Sequence, residues 1–423
     1  MAQNDRAQDD RSRPAPALSL LPWSLFAALI AAAGLPIYIH APKFYVDTYG
    51  VPLATLGVAL FALRLLDVVQ DPALGWLAER TRRRRGVLVA GAVLLIAGAM
   101  AGLFALPPPI APLAWFALML ALLFSAFSFL TICFYAQGVV RGAALPGGHL
   151  ALAGWRETGA LIGISLAAIA PVALAPLTDR PFTGFALGFA VLALVAALAM
   201  RREWRAAPPP VAAPAGPSFA ALLADPALRG LLLLALVNAA PVAVTSTLFL
   251  FFVESRLAEP ALAGPLLLLF FLSAALTAPA WGRLAHRIGA RRALLAGMGL
   301  AIPAFALALT LGPGQVALFA VICAASGAAL AADMVLLPAI LARHLAARGA
   351  EAMGFGLWSF ASKSMLAVAA VTLFPLLDLA GFRAGGANDA GALQALTLLY
   401  AGLPCALKLG AIALLWRSRA LPD

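Results

Sequence analysis

The chain has 423 residues, 63% of them hydrophobic and only 11% charged, with a mean hydropathy of +0.97. That composition excludes a soluble globular domain, and the continuous Ala- and Leu-rich runs exclude a strand-built barrel, which needs short alternating segments. The formal charge of +11 does not point to nucleic acid, because the basic residues fall in short loops between apolar runs.

In chain order, the first 17 residues are polar and no small-residue cleavage site follows, so no removed signal peptide is expected. The apolar runs then predict twelve transmembrane helices over 18–40, 51–79, 87–106, 112–138, 151–175, 182–200, 229–252, 262–281, 293–311, 315–341, 353–379 and 392–415. Of the 29 Lys and Arg residues, 21 fall on the side of the termini, 4 on the other side and 4 within spans. That asymmetry predicts a multi-pass protein of a bacterial-type inner membrane with both termini cytoplasmic.

Residues 201–228 form a linker whose Pro208, Pro209, Pro210, Pro214 and Pro217 predict an extended, unfolded segment. It separates a cytoplasmic tail (1–17) and a six-helix bundle (18–200) from a second bundle (229–416) and a short tail (417–423). An internal repeat supports the division. The run Pro72-Ala-Leu-Gly75-Trp-Leu77-Ala78-Glu-Arg80 returns 207 residues later as Pro279-Ala-Trp-Gly282-Arg-Leu284-Ala285-His-Arg287, with six identities and no gap.

At these residues the chain resembles the major facilitator superfamily, whose halves carry a Gly-x-Leu-Ala-like motif before a basic loop. The resemblance implies an all-α fold of twelve helices in two pseudo-symmetric six-helix bundles. Gly75 and Gly282 would permit close helix approach, and the arginines would engage helix ends and headgroups or serve only as topology determinants.

Charges inside the membrane cost about 2.5 to 3.5 kcal/mol each on insertion scales, so they mark function or a pair. Span two carries Arg64, Asp67, Gln70 and Asp71 on one helical stripe, the carboxylates about 12 to 18 Å from the inner surface. Pro72 frees the carbonyl of Val68 one turn away. Two carboxylates, an amide and a loose carbonyl suit a hard monovalent cation or a proton; the alternative is a local Arg64–Asp67 pair. At the 207-residue offset the second half has no carboxylates, so the fold does not require them.

The pattern Arg64-x-x-Asp67-x-x-x-Asp71-Pro72-x-x-Gly75, followed by Arg82 and Gly86, is similar to the melibiose-permease-like branch, the glycoside-pentoside-hexuronide:cation symporters. Asp47, Gly50, Arg156 and Lys363 also fall where that family has matching residues. The resemblance implies that Asp67 and Asp71, helped by Gln70 and the helix-four hydroxyl Ser128, bind coupling Na⁺ or H⁺, and that Lys363 approaches them. It places Tyr135, Thr131 and Arg156 in the substrate cavity or at its gate. The two carboxylates with which melibiose permeases hold sugar would fall on Ala31 and Thr131, so galactoside recognition is expected to be weak. Asp333, deep in span ten, either pairs with Lys363 or lines the cavity.

No phosphate-cradling Gly-rich loop is present, and His40, His149, His286 and His344 lack metal-ligand spacing. Neither Cys133, Cys323 nor Cys405 sits in a disulfide or metal pattern. The sequence therefore predicts a monomeric secondary transporter rather than an enzyme. Its partners would be a small solute such as a sugar or glycoside and the membrane lipids, with no nucleic acid, no cofactor and no metal beyond the coupling Na⁺ or H⁺. Two alternatives stay open at this level: a cation-coupled carrier of amphiphiles or lysolipids, and a non-transporting membrane assembly factor.

Overall fold

A computed structural model describes residues 20–145, 148–205, 219–346, 348, 350–383 and 386–417. With no water in the hydrocarbon core to satisfy peptide groups, spanning segments must close their own hydrogen bonds, and the described segments between the loops are helical. Among the described residues, nine helical segments are long and apolar enough to cross a bilayer. With the shorter helix Leu21–Ala32 and the long helices Leu53–Arg80 and Gly148–Leu174 packed among them, they form a multi-pass membrane protein.

The first span is broken. Helix α1 (Leu21–Ala32) ends at Ala33 and Gly34, and α2 (Leu35–Tyr49) carries the chain beyond the expected boundary at residue 40. Gly50 stops α2 in the left-handed region (φ 64°), a conformation that costs glycine nothing. The N-terminal half continues as α3 (Leu53–Arg80), α4 (Arg85–Phe104), α5 (Pro112–Ala143), α6 (Gly148–Leu174) and α7 (Pro181–Met200). Prolines open α5 and α7, where the missing N–H is no loss.

The linker differs from its expectation at both ends. Glu203–Arg205 forms a 3₁₀ turn and α8 (Phe219–Ala224) a short helix; residues 206–218, which hold the five prolines, lie outside the described residues, as do the N-terminal tail and the last six residues. The C-terminal half comprises α9 (Pro226–Phe251), α10 (Ala263–Ile288), α11 (Ala290–Ala308), α12 (Val316–Ala346), α13 (Glu351–Leu379), α14 (Ala390–Thr397) and α15 (Leu403–Arg417). A π turn at Phe252–Arg256 extends α9 and another at Leu398–Gly402 joins α14 to α15. The two π turns meet where the rings of Phe252 and Tyr400 stack at 4.1 Å.

Within the first half α1 lies along α6, and Gly159 and Gly163 make that possible. A Cβ built on either would fall 2.2 to 2.5 Å from the backbone of Ser24 or Ala28, so this Gly-x-x-x-Gly face admits no larger residue. Trp23, Phe26 and Phe134 fill the core beside it.

Between the halves, α3 packs on α13 and α6 on α10, with α5 and α6 also touching α12. The repeated glycines sit at these two seams. Gly75 faces Ala352 and Gly356 of α13, and Gly282 faces the carbonyl of Leu150 of α6, so the repeat read from sequence corresponds to two pseudo-equivalent crossings.

Asp225 anchors the linker to the second half. Its side chain accepts from the Ala227 N–H (3.0 Å), from His344 Nε2 (2.7 Å) and from Arg348 Nη2 (2.8 Å). Burial pushes this carboxyl up, but the His344 hydrogen bond, the Ala227 N–H and Arg348 outweigh it and hold it below the usual carboxylate range. A depressed carboxylate stabilises the fold above its unfolded-state pKa, and that contribution is lost as pH falls through the lowered folded value. Asp225→Ala is expected to cost about 1 kcal/mol at neutral pH. Thermal unfolding in detergent should show the deficit shrinking toward acid; a pH-independent deficit would assign the loss to something other than this carboxylate.

Candidate functional site

The helix-two stripe builds a charge cluster at the interface of the halves. Asp67 and Asp71 lie four residues apart on α3 and so point the same way; they are 3% and 0% exposed. Lys363 of α13 reaches between them, its Nζ donating to Asp67 Oδ1 at 2.7 Å and lying 3.1 Å from Asp71 Oδ2. Ser128 of α5 donates to Asp67 Oδ1 at 2.9 Å and accepts from Lys363 at 2.7 Å. Ser359, one turn before Lys363 on α13, donates to Asp71 Oδ2 at 2.5 Å.

Three helices from both halves therefore converge on two carboxylates that share one ammonium. With both carboxylates ionised the cluster carries a net charge of −1, in a region where an uncompensated charge is costly. Lys363 occupies the point where both carboxylates and the Ser128 hydroxyl converge, so it stands where a monovalent cation would be held. A bound cation or proton would offset the remaining charge and loosen the hold on Lys363.

Gln70 stands one turn from this cluster and binds Ser125 instead, its Oε1 accepting from Ser125 Oγ at 2.8 Å. The Arg64 side chain lies outside the described residues.

On the side of α3 that carries the arginine run, the same seam is tied by charge. Arg82 lies 3.4 Å from Glu351 at the start of α13 and 3.5 Å from Glu79, and the Glu79 carboxylate accepts from the Ala352 N–H at 3.1 Å. Gly75 and Gly356 bring the backbones together here: a Cβ at Gly356 would meet the Asp71 carbonyl at 2.9 Å. Deeper within the first half, Arg85 donates to Gln137, which donates to the carbonyl of Glu203 in the turn after α7. The halves are thus closed against each other from the carboxylate cluster to the arginine-rich face.

Beyond this closure lies a cavity of about 270 Å³ bordered by α5, α6, α9, α12 and α13. Tyr135 and Glu157 form one wall. Glu157 accepts from the Tyr135 hydroxyl at 3.0 Å and from Arg156 Nε at 2.8 Å, while the Arg156 guanidinium lies 3.8 Å over the Tyr135 ring. Asn238 and Asp333 form the other wall, with Trp358 and Ser362 between.

Asp333 does line this cavity, but its ion-pair partner is Lys408 of α15 at 2.5 Å, not Lys363. Thr131 spends its hydroxyl on the Phe127 carbonyl one turn back on its own helix and is absent from the residues bordering the cavity. Ser359, Glu157, Asn238 and Lys408 were missed as site residues from the sequence. Lys408 carried the clearest signal, a cation inside an apolar run; Ser359 sits at the i, i+4 spacing from Lys363.

Because Lys363 neutralises half the cluster, its removal should leave two buried carboxylates uncompensated. Lys363→Met is expected to lower the thermal midpoint in Na⁺-free buffer at alkaline pH, with added Na⁺ or mild acid restoring it. Midpoints insensitive to both would show that the carboxylates attract neither ion.

Comparison with known proteins agrees with this architecture. A family model described as MFS/sugar transport protein matches residues 24–420. The inner membrane symporter YicJ of Escherichia coli K12 is 38% identical over 50 residues, a stretch spanning 12% of this chain and 11% of that relative. Among solved structures, a bacterial homologue of the iron transporter ferroportin in an outward-facing state superposes with a TM-score of 0.70 at 16% identity, covering 95% of this chain and 98% of the other. The human organic anion transporter MFSD10 gives 0.65 at 17% identity over 95% and 100%, and the Escherichia coli fucose:proton symporter 0.62 at 12% over 94% and 98%. At those identities the structures establish a shared fold. The family match over nearly the whole chain goes further: this protein belongs to the MFS/sugar transport family and is a transporter with the major facilitator fold.

Proposed function

We propose that the protein is a cation-coupled symporter, moving a small polar solute together with Na⁺ or H⁺ by alternating access across a bacterial inner membrane. One observation carries this reading: Asp67 and Asp71, both buried, share the single ammonium of Lys363 at the seam between the halves. A bundle held together for structural reasons alone needs no excess negative charge at its centre, whereas a site that loads and releases one cation does. The likeness of a short segment to a symporter supports the same direction.

The charge cluster also suggests how loading is linked to movement. Lys363 belongs to the second half and the carboxylates to the first, so a cation that displaces Lys363 weakens a contact across the seam. Solute in the adjoining cavity touches both halves and supplies the opposing pull. With the termini cytoplasmic, as the basic loops imply, the closed arginine-rich face would be the inner gate. In this scheme the solute is held by hydrogen bonds, and a carrier of long-chain amphiphiles would need a larger apolar cavity than the one of about 270 Å³ between the halves.

Two measurements test the reading. In proteoliposomes, Asp67→Asn and Asp71→Asn should each abolish gradient-driven accumulation while leaving solute exchange within a few-fold of wild type. Each should also remove the cation's effect on solute affinity, a reciprocal coupling typically of about 5- to 150-fold. Full gradient-driven uptake by Asp67→Asn would eliminate it as a coupling ligand. For orientation, reporter fusions after Arg84 should read cytoplasmic and fusions near Pro108 and Arg383 periplasmic; inversion at two of these sites would overturn the assignment.

A further inference from the structure

The seam between α6 and α10 carries a cavity that the coupling scheme does not use. It measures about 380 Å³ and shares no bordering residue with the solute cavity. Its walls are apolar along the helices, with Leu150 and Trp155 from α6 and Pro279 and Gly282 from α10, and become basic at Arg283 and His286. A second cavity of about 290 Å³ shares Leu150 and His286 with the first and adds His149, Arg343 and Ala290.

This basic chemistry lies at the arginine-rich end of the bundle, where α6 and α11 begin and α10 and α12 end. Ala290 opens α11, so that helix adds the positive end of its dipole. No Asp or Glu borders either cavity. Arg283, His286 and Arg343 are exposed, with no hydrogen-bond or ion-pair partner among the described residues.

Gly154 supplies an independent observation. A glycine inside a helix is destabilising relative to alanine unless a close approach requires it. Gly159 and Gly163 meet that condition against α1. Gly154 does not: a Cβ built on it would meet nothing within 4 Å, although the residue is buried and borders the larger cavity. The helix is pared down beside open space rather than beside another helix.

The geometry points to a binding site for one anionic phospholipid, its phosphate headgroup among Arg283, His286, His149 and Arg343 and one acyl chain in the groove between α6 and α10 past Gly154. Basic pockets between transmembrane helices take anionic headgroups, and Arg guanidinium groups fork phosphate oxygens. The apolar groove running from the basic mouth selects a lipid over a soluble phosphate. This lipid is a resident ligand rather than cargo, because its groove is separate from the solute cavity. Since α6 belongs to the first half and α10 to α12 to the second, a bound lipid touches both and favours the arrangement in which this seam is closed. The site goes beyond the coupling reading and holds whichever ion or solute is moved.

The test is native mass spectrometry with thermal unfolding of the purified full-length protein, delipidated in dodecyl maltoside. The ligands are palmitoyl-oleoyl phosphatidylglycerol, phosphatidylcholine with the same chains, and inorganic phosphate. One phosphatidylglycerol should bind and raise the midpoint, with the other two about 10-fold weaker or more. Arg283→Gln with Arg343→Gln should weaken phosphatidylglycerol about 25-fold, at about 5-fold per arginine. The exposed pair Arg201→Gln with Arg202→Gln, outside both cavities, should leave binding unchanged. Gly154→Leu keeps every charge and fills the groove; it should remove the preference for phosphatidylglycerol over phosphate while its lipid-free midpoint stays near wild type.

An equal response to the two lipids would reduce the site to ordinary boundary lipid. Equal losses in the two arginine pairs would make the attraction a diffuse property of the basic face, and phosphate matching phosphatidylglycerol in wild type would put a soluble anion in its place. Each of these overturns the proposal. Should the Arg283 and Arg343 double variant fail to fold, Gly154→Leu decides: phosphatidylglycerol bound at wild-type strength by that variant overturns it too.

Discussion

Two carboxylates held around one ammonium at the seam between the halves set the terms for the rest of this molecule. An isolated charge at that depth is costly, and three charges are tolerable only because α3, α5 and α13 bring Asp67, Asp71, Ser128 and Lys363 within hydrogen-bonding distance. The cluster can be satisfied only while the halves touch. That makes the contact sensitive to anything that changes its charge, which is the property a cation-driven carrier needs.

Geometry around the cluster reinforces this dependence. Gly75 and Gly356 let the backbones of α3 and α13 approach so closely that no side chain fits between them, and the cluster lies directly along the same helices. Glu79, Arg82 and Glu351 then tie the arginine-rich end. Close packing and ion pairing fail together when two helices separate, because packed interfaces are bistable rather than elastic. Under the proposed cycle the seam would act as a gate with two states, and the charge of the Asp67–Asp71–Lys363 cluster would bias the choice between them.

The cavity beside the gate is built on a different rule. Its acidic side chains, Glu157 and Asp333, are each matched by a basic residue in the same half of the chain, so the walls are polar without being charged. The Asp67–Asp71–Lys363 cluster keeps an imbalance and the cavity does not. Under the proposed cycle this separates the two tasks: one site answers to an ion, the other to hydrogen bonds, and both span the same seam.

Much of this was legible in the sequence, and the reason is the bilayer. Because every spanning segment must be an apolar helix, composition and run length determined the class and the approximate spans, the 207-residue repeat located the two glycine crossings, and the expense of intramembrane charge singled out Asp67, Asp71, Lys363 and Asp333. Local backbone events escaped it: the break at Gly34 and the π turns at Phe252–Arg256 and Leu398–Gly402 leave the apolar pattern unchanged. Pairing escaped it too. Nothing in the order of residues says that Asp333 meets Lys408 rather than Lys363, or that Ser359 and not Gln70 completes the shell of Asp71. Hydropathy is a property of each segment by itself, and so is written along the chain; partnership depends on how helices rotate and cross, and only the packed bundle decides it.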